Sequence, residues 1–247
     1  MIPKTIHYCW FGRKPVPDNV EKNIKSWKKY CPDYEIIQWN EDNYDVKKID
    51  YTSQAYERKK YAFVSDFARL DIVNEYGGIY LDTDVELIKP LDDLIQYDSF
   101  FGLEEVGRVN TGLGFGSEKN SAFVRELKEQ YNGQMFIVNG VENLKTCIDY
   151  AEPVFSDLGL IDKDETQYFN QSCIAVFATD VFCPQSLETG KTTITGKTIS
   201  IHHYDSSWKK HPRMSRYFTK YKIRIRKSVD KIFGLGTYNS IKKIMKK

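Results

Sequence analysis

The stretch "GGIYLDTDVELIKP", residues 77–90, runs from two glycines through a short apolar segment into Asp82 and Asp84. Read as a strand over 77–85, it sets both carboxylates on one face, because side chains alternate with a period of two. In an open α/β sheet, ligands bind beyond the carboxyl ends of the strands, so this pair would sit at a binding rim. Two carboxylates this close repel one another unless a cation or hydrogen-bond donors compensate. A hard divalent cation, manganese or magnesium, resolves the conflict by taking the carboxylates together with phosphate oxygens and waters. An Asp pair in an exposed turn is the structural alternative, since Asp is a common turn former.

Working outward, the pattern alternates between strands and helices. "TIHYCWFG" reads as the first strand and "DNVEKNIKSWKKY" (18–30) as a helix with Asp18 as its N-cap. "YEIIQWN" reads as the second strand, and 56–76 as one long helix with Ala62, Phe63, Phe67, Leu70 and Val73 on a broad face. Further strands are expected at "SFFGLEE", "LGFGS", "DVFCP" and "TISIHHY", with helices near 121–131 and 140–150. Alternation of this kind predicts an α/β sheet covered by helices. Arg58, Lys59 and Lys60 read as a solvated basic turn.

Length and composition agree with that class. The 247 residues, 41% hydrophobic and 14% aromatic, suffice for one sizeable α/β domain with an appendage. No apolar run approaches the roughly 18–20 residues of a membrane span, and the start lacks a signal-peptide pattern, so a cytoplasmic protein is expected. Cys9, Cys31, Cys147, Cys173 and Cys183 are scattered without a C-x-x-C pair, which encodes neither a disulfide framework nor a zinc site. The net charge of +2 hides an asymmetry. Residues 209–247 hold 14 Lys or Arg against Asp230 alone, +13, whereas the first 208 hold 22 basic and 33 acidic residues, −11. The expected division is therefore a body, 1–208, and a basic amphipathic tail, 209–247. Basic residues mixed with Tyr, Phe, Ile and Leu suit an anionic membrane surface, here the cytoplasmic face. A basic helix packed on the acidic body is the alternative, and no basic groove continues the tail toward nucleic acid.

The run "YAFVSDFARLDIVNEYGGIYLDTDVE", 61–86, strongly resembles the D-x-D sugar-binding region of glycosyltransferase family 32 and of the glucosyltransferase domains of large clostridial toxins. "IPKTIHYCWFG" is similar to the opening strand of that group, "PDYEIIQWN" to its second strand and "IHHYDSSW" to its closing loop. The resemblance spans most of 1–208 and is loosest in the middle third. It implies a GT-A fold: a single Rossmann-like nucleotide-diphospho-sugar transferase domain, here with a mainly helical tail. It implies a metal-dependent, retaining hexosyltransferase using Mn2+ (or Mg2+) and a nucleotide sugar. UDP-hexose is the expected donor, with GDP-mannose as the variant used by yeast relatives.

Site roles carry over where the motif matches. Trp10 would stack on the nucleobase; Asp66 and Arg69, three apart on one helical face, would hold donor hydroxyls and phosphate. Tyr80 would contact ribose or base, Asp82 the ribose and the cation, and Asp84 the cation directly. His203 is the expected further metal ligand, with His202 on the opposite face; the toxins have an acidic residue at this place. Ser206 would complete the coordination and Trp208 would donate to the β-phosphate. Asn110, Gln167 and Asn170 stand where such enzymes bind donor sugar and acceptor, the latter a saccharide or a polyprenyl-linked oligosaccharide in capsule, exopolysaccharide or lipopolysaccharide synthesis. Trp10, Tyr80 and Trp208 could equally be core aromatics, and the loop residues turn formers. Two other functions are weighed: a phosphohydrolase using one Asp as nucleophile, which expects D-x-D on the first strand followed by Gly-Thr rather than Val85-Glu86, and a noncatalytic nucleotide-sugar-binding module at a membrane.

Overall fold

The computed structural model describes residues 1–169, 173–186 and 189–204, and in the tail Ile225, Ser228, Val229 and Ile232, all four helical. Asn170, Ser206, Trp208 and the expected boundary at 208/209 lie outside the described residues. The chain opens with β1 (Thr5–Cys9), α1 (Asp18–Tyr30) and β2 (Glu35–Trp39). Two helices, α2 (Asp50–Glu57) and α3 (Tyr61–Tyr76), lead into β3 (Gly78–Tyr80) and β4 (Val85–Leu87). β5 (Ser99–Glu105), β6 (Arg108–Val109), β7 (Phe115–Ser117) and α4 (Ala122–Glu129) follow, then the hairpin β8 (Ile137–Val138) and β9 (Val141–Glu142). α5 (Cys147–Leu158), β10 (Gln167–Phe169), β11 (Ile174–Phe177), α6 (Thr179–Phe182) and β12 (Ser200–His202) complete it.

The main sheet has the order β10-β11-β5-β7-β3-β1-β2, with β6 added on β5. β1 runs parallel to β2 and β3, β11 parallel to β5, and β7 lies antiparallel between β3 and β5. The carboxyl ends of β1, β2, β3, β5 and β11 therefore share one edge with the loop entering β7. Side chains alternate between two apolar layers: Ile79 and Phe100 enter one, and their neighbours Tyr80 and Phe101 the other. α3 is buried nearly all round, from Phe63 to Val73. Its polar residues Asp66, Arg69 and Asp71 must then find partners inside the protein. No helix among the described residues is long and apolar enough to cross a membrane.

Four local expectations change. The helix expected over 56–76 is two helices, broken where Lys59 adopts φ 57 in the basic turn. The helix expected near 140–150 begins only at Cys147, after the β8–β9 hairpin, and carries a Thr146–Asp149 capping box. "DVFCP" holds α6 rather than a strand, because β11 has already taken the sheet position beside β5; Val181 and Phe182 are still buried. A short apolar run does not distinguish the two. Asp18 is the first helical residue of α1 and Pro17 the cap, with no side-chain capping bond.

The two glycines before the motif have a conformational cause. Gly77 ends α3 at φ +70 and Gly78 opens β3 at φ +102, backbone that favours glycine. A Cβ on Gly78 would also stand 2.8 Å from His7 Nε2. His7 is buried and accepts from Trp39 Nε1 at 3.1 Å through Nδ1, so its Nε2 donates to Gly77 O at 2.8 Å. Burial pushes its pKa down to about 4 from 6.5. The unfolded chain thus binds a proton that the folded one refuses between those values. Stability from the neutral imidazole is complete above pH 6.5 and drains away as pH falls toward 4. Denaturant unfolding of His7→Gln should lose less stability than wild type across that window, a difference on the order of 3 kcal/mol or less; parallel losses would mean that His7 does not titrate there.

Candidate active site

The acidic pair sits in a tight turn rather than on a strand face. β3 ends at Tyr80, and Val85 N donates to Asp82 O at 3.0 Å, closing Asp82-Thr83-Asp84-Val85 before β4 begins. α1 holds the turn from one side: Asn23 Nδ2 donates to Thr83 O at 2.9 Å and Trp27 Nε1 to Val85 O at 2.8 Å. Ser26 Oγ accepts from Leu87 N at 3.0 Å. From the other side Asp82 N donates to Gly112 O at 3.1 Å. The sequence spacing put the carboxylates together, but turn geometry keeps them so.

Arg69 organises one half of the site. Its Nη2 lies 2.9 Å from Asp66 Oδ1 and 3.2 Å from Asp82 Oδ1, its Nε donates to Ser65 O, and its guanidinium packs over the Tyr80 ring at 4.9 Å. Tyr80 OH donates to the same Asp82 oxygen at 3.0 Å. Burial pushes the Asp66 carboxyl up to about 6, partly offset by Arg69, and raises Asp82 against the same guanidinium. One cation, 3% exposed, thus serves two carboxylates. Asn110 Oδ1 accepts from Gly112 N at 2.7 Å and from Cys147 Sγ at 3.4 Å, and Cys147 Sγ lies 3.9 Å from Arg69 Nη1.

The other half comes from the chain's later part. β12 pairs antiparallel with β4 in the register Ser200↔Leu87, Ile201↔Glu86, His202↔Val85. That register turns His202 inward, 6% exposed, with Nε2 3.2 Å from Asp84 Oδ1. His203 shares the outer face with Ile201 and Glu86, and its Nε2 meets Glu86 Oε2 at 2.9 Å. The structure therefore corrects the expected orientation: His202, not His203, faces the acidic pair. Ligand atoms of Asp82, Asp84 and His202 all lie within 4.8 Å of one another, the one such cluster found among the described residues. Burial works against an imidazolium, but Asp84, Asp82 and Glu104 outweigh it and lift His202 to about 9. His202 Nδ1 is buried with no hydrogen-bond partner. Two carboxylates with one imidazole form a mixed oxygen and nitrogen donor set that fits manganese, with magnesium served by the oxygens.

The remaining residues divide. Trp10 leaves β1 half-buried, donates Nε1–H to Lys14 O at 2.7 Å and lines a cavity of about 270 Å³ with Arg13, Gln38, Asn40 and Glu41. Tyr80, expected against ribose or base, is instead 1% exposed and committed to Asp82 and Arg69. Gln167 does not join: β11, β5 and β7 separate its strand from β3, and its amide bonds Ile161 and Lys163. Sequence reasoning missed His202, Gly112 and Cys147. The sequence signal for Gly112 was present in "VNTGLGFG", whose glycines mark close backbone approach.

A Cβ on Gly112 would stand 2.1 Å from Asp82 Oδ2 and 2.8 Å from Arg69 Nη1. Gly112→Ala should therefore cost roughly 1–3 kcal/mol in chemical denaturation through overpacking and weaken Mn2+ binding measured by calorimetry. Gly196→Ala, whose added Cβ meets nothing within 4 Å, is the neutral control; equal effects at both positions would refute the steric account.

Residues 17–101 match the family model described as the glycosyltransferase sugar-binding region containing DXD motif. The chain is similar to inositol phosphoceramide mannosyltransferase 3 of Schizosaccharomyces pombe, 32% identical over 123 residues, covering 46% of this chain and 33% of that protein. It is also similar to mannosyl phosphorylinositol ceramide synthase SUR1 of Saccharomyces cerevisiae, 26% identical over 143 residues, 56% and 37% of the two chains. The chain thus spans little more than a third of the length of these relatives. A solved glycosyltransferase involved in glycosylation of the major capsid of PBCV-1 aligns over 88% of this chain and 98% of its own, with TM-score 0.50 and 14% identity. With the D-x-D turn held at the carboxyl edge of a mixed α/β sheet, residues 17–101 are similar to the glycosyltransferase sugar-binding region containing DXD motif, and the fold is the GT-A fold.

Proposed function

We propose that this chain transfers a hexose from a nucleotide sugar, UDP-hexose in the first instance, to a saccharide or polyprenyl-linked acceptor, with Mn2+ (or Mg2+) and with retention. The observation that carries this reading is the convergence of Asp82, Asp84 and His202 beside the buried Asp66–Arg69 pair. The three side chains would hold the cation, which when bound stabilises charge on the departing diphosphate. The chain's own part is positional. Arg69 and Tyr80 fix Asp82, and Asn23, Trp27 and Gly112 fix the turn that presents Asp84. Trp10 offers a ring beside a cavity at the end of β1, suited to stacking a nucleobase. The phosphohydrolase reading is disfavoured by Asp82, whose Oδ1 is engaged by Arg69 and Tyr80 instead of standing free as a nucleophile.

The test is a screen of UDP- and GDP-sugars with Mn2+, reading nucleoside diphosphate release. One donor should turn over, with Asp84→Ala lowering release by about 100-fold or more and His202→Ala by roughly 10-fold or more. Metal-dependent binding without turnover in the presence of acceptor mixtures would favour the noncatalytic module, and absence of any donor binding would refute the transferase reading.

The basic tail suits an anionic cytoplasmic membrane face, which fits a lipid-linked acceptor in capsule, exopolysaccharide or lipopolysaccharide assembly. Its helical positions Ile225 and Ile232 are exposed apolar residues within a +13 segment. Removing residues 213–247 should abolish co-sedimentation with anionic vesicles while sparing donor hydrolysis. Unchanged vesicle binding would dismiss the tail as the membrane contact.

A further inference from the structure

The β8–β9 hairpin turns its apolar side outward. Val138 pairs with Val141 across the two-residue turn Asn139-Gly140, whose φ values of 51 and 78 suit the twist of a short hairpin. Alternation gives the ribbon two faces. Ile137 and Glu142 pair on the inner one: Ile137 packs on the core and its N–H donates to Gln54 Oε1 at 2.8 Å, while Glu142 Oε2 lies 2.7 Å from Lys60 Nζ. Val138 and Val141 are left on the outer face, 49% and 69% exposed, where a ribbon with one solvated side ordinarily carries polar residues. Met135 and Leu144 are exposed at the base, and Phe136 between them and the core is buried against Tyr51 and Phe63. The valines thus project from a firmly seated base.

The surroundings of this tip are basic, in an acidic body. The Lys60–Glu142 pair sets the hairpin against the turn between α2 and α3, where Arg58 and Lys59 are exposed, and Lys145 is exposed just past Leu144. Residues 57–60 and 137–145 together hold four cations against Glu57 and Glu142, net +2, whereas 1–208 as a whole carries −11. The position is next to the site. The ring of Tyr61, which follows Lys60, lies over Gly12, three residues past the end of β1. On the other side Cys147, five residues past Glu142, has its Sγ 3.9 Å from Arg69 Nη1. The hairpin therefore borders the edge that carries the D-x-D turn.

We propose that the Val138 and Val141 tip, with Arg58, Lys59, Lys60 and Lys145 around its base, is a docking surface for an anionic lipid bilayer. The valines enter between the headgroups and the cations meet lipid phosphates. Apolar side chains ringed by cations match the layering of such a surface, acyl chains beneath a negative plane. The patch is separate from the basic tail and too small to hold the protein by itself, so the tail anchors and the hairpin orients the edge toward the membrane. Delivery of a lipid-linked acceptor to that edge rests on the transferase reading above; the docking does not.

The experiment uses the full chain and vesicles of phosphatidylcholine, with and without phosphatidylglycerol, some carrying brominated acyl chains as quencher. Val141→Trp should be quenched by brominated vesicles beyond the level of the wild type's own tryptophans. Val138→Thr/Val141→Thr, which keeps the β-branched shape, should weaken vesicle binding by about 10-fold while leaving the unfolding temperature and vesicle-free donor turnover unchanged. Arg58→Gln/Lys59→Gln should lose roughly 10- to 30-fold on the phosphatidylglycerol vesicles only. Wild-type sedimentation with no added quenching at position 141 and no loss in the threonine pair makes the tail the sole contact and overturns the proposal. A concentration-dependent oligomer that the threonine pair dissolves also overturns it, by making this face a protein interface. Donor turnover without vesicle binding by the wild type removes the docking and leaves the transferase; docking without turnover of any donor does the reverse.

Discussion

A single buried guanidinium organises this protein's sheet edge. Arg69 lies on a helix buried nearly all round, and desolvating a charge there is costly unless each donor finds an acceptor. Asp66, Asp82 and the Ser65 carbonyl supply those acceptors, and the Tyr80 ring covers the guanidinium face. The dependence runs both ways. Without Arg69, Asp66 and Asp82 would face one another across a low-dielectric gap and at least one would protonate. The ion pair links α3, β3 and the motif turn, so packing of the helix and geometry of the site are one constraint.

That constraint explains where glycine stands. Gly77 and Gly78 let the chain reverse from α3 into β3, and Gly112 leaves the space that the Asp82 carboxylate occupies. α1 contributes from outside the sheet, since Asn23, Ser26 and Trp27 lie within little more than one turn of each other and all bond to the segment from Thr83 to Leu87. A helix that reads in sequence as polar and ordinary is thus the clamp on the D-x-D turn.

The α/β class was legible because alternation of apolar runs with amphipathic segments is a local property. Asp66 and Arg69 could be paired from helical spacing, and Asp82 with Asp84 from adjacency. What lay beyond reach depended on register and topology. Choosing between His202 and His203 requires knowing that Ile201 opposes Glu86, since a one-residue slip exchanges the two faces. The strand assigned to "DVFCP" failed for a related reason: both answers bury Val181 and Phe182, and only the sheet's occupancy decides. Gln167 stands out in sequence only by its place in the chain, and the sheet order puts three strands between its own and β3.

Charge makes the final link between fold and proposed chemistry. The edge gathers Asp66, Asp82 and Asp84 around Arg69 and His202, in a body whose formal charge is −11. Arg69 is enclosed and already shared between two carboxylates, so it has little attraction left for a further anion. A nucleoside diphosphate entering such a place would meet repulsion from Asp84 and Asp82 at close range, where screening by water is weakest. A divalent cation reverses the sign of that field at the point where phosphate oxygens arrive, and the carboxylates that would repel the donor become what retains it. The metal in the proposed mechanism would thus suit the electrostatics of the whole edge, of which the two aspartates are only the part visible in sequence.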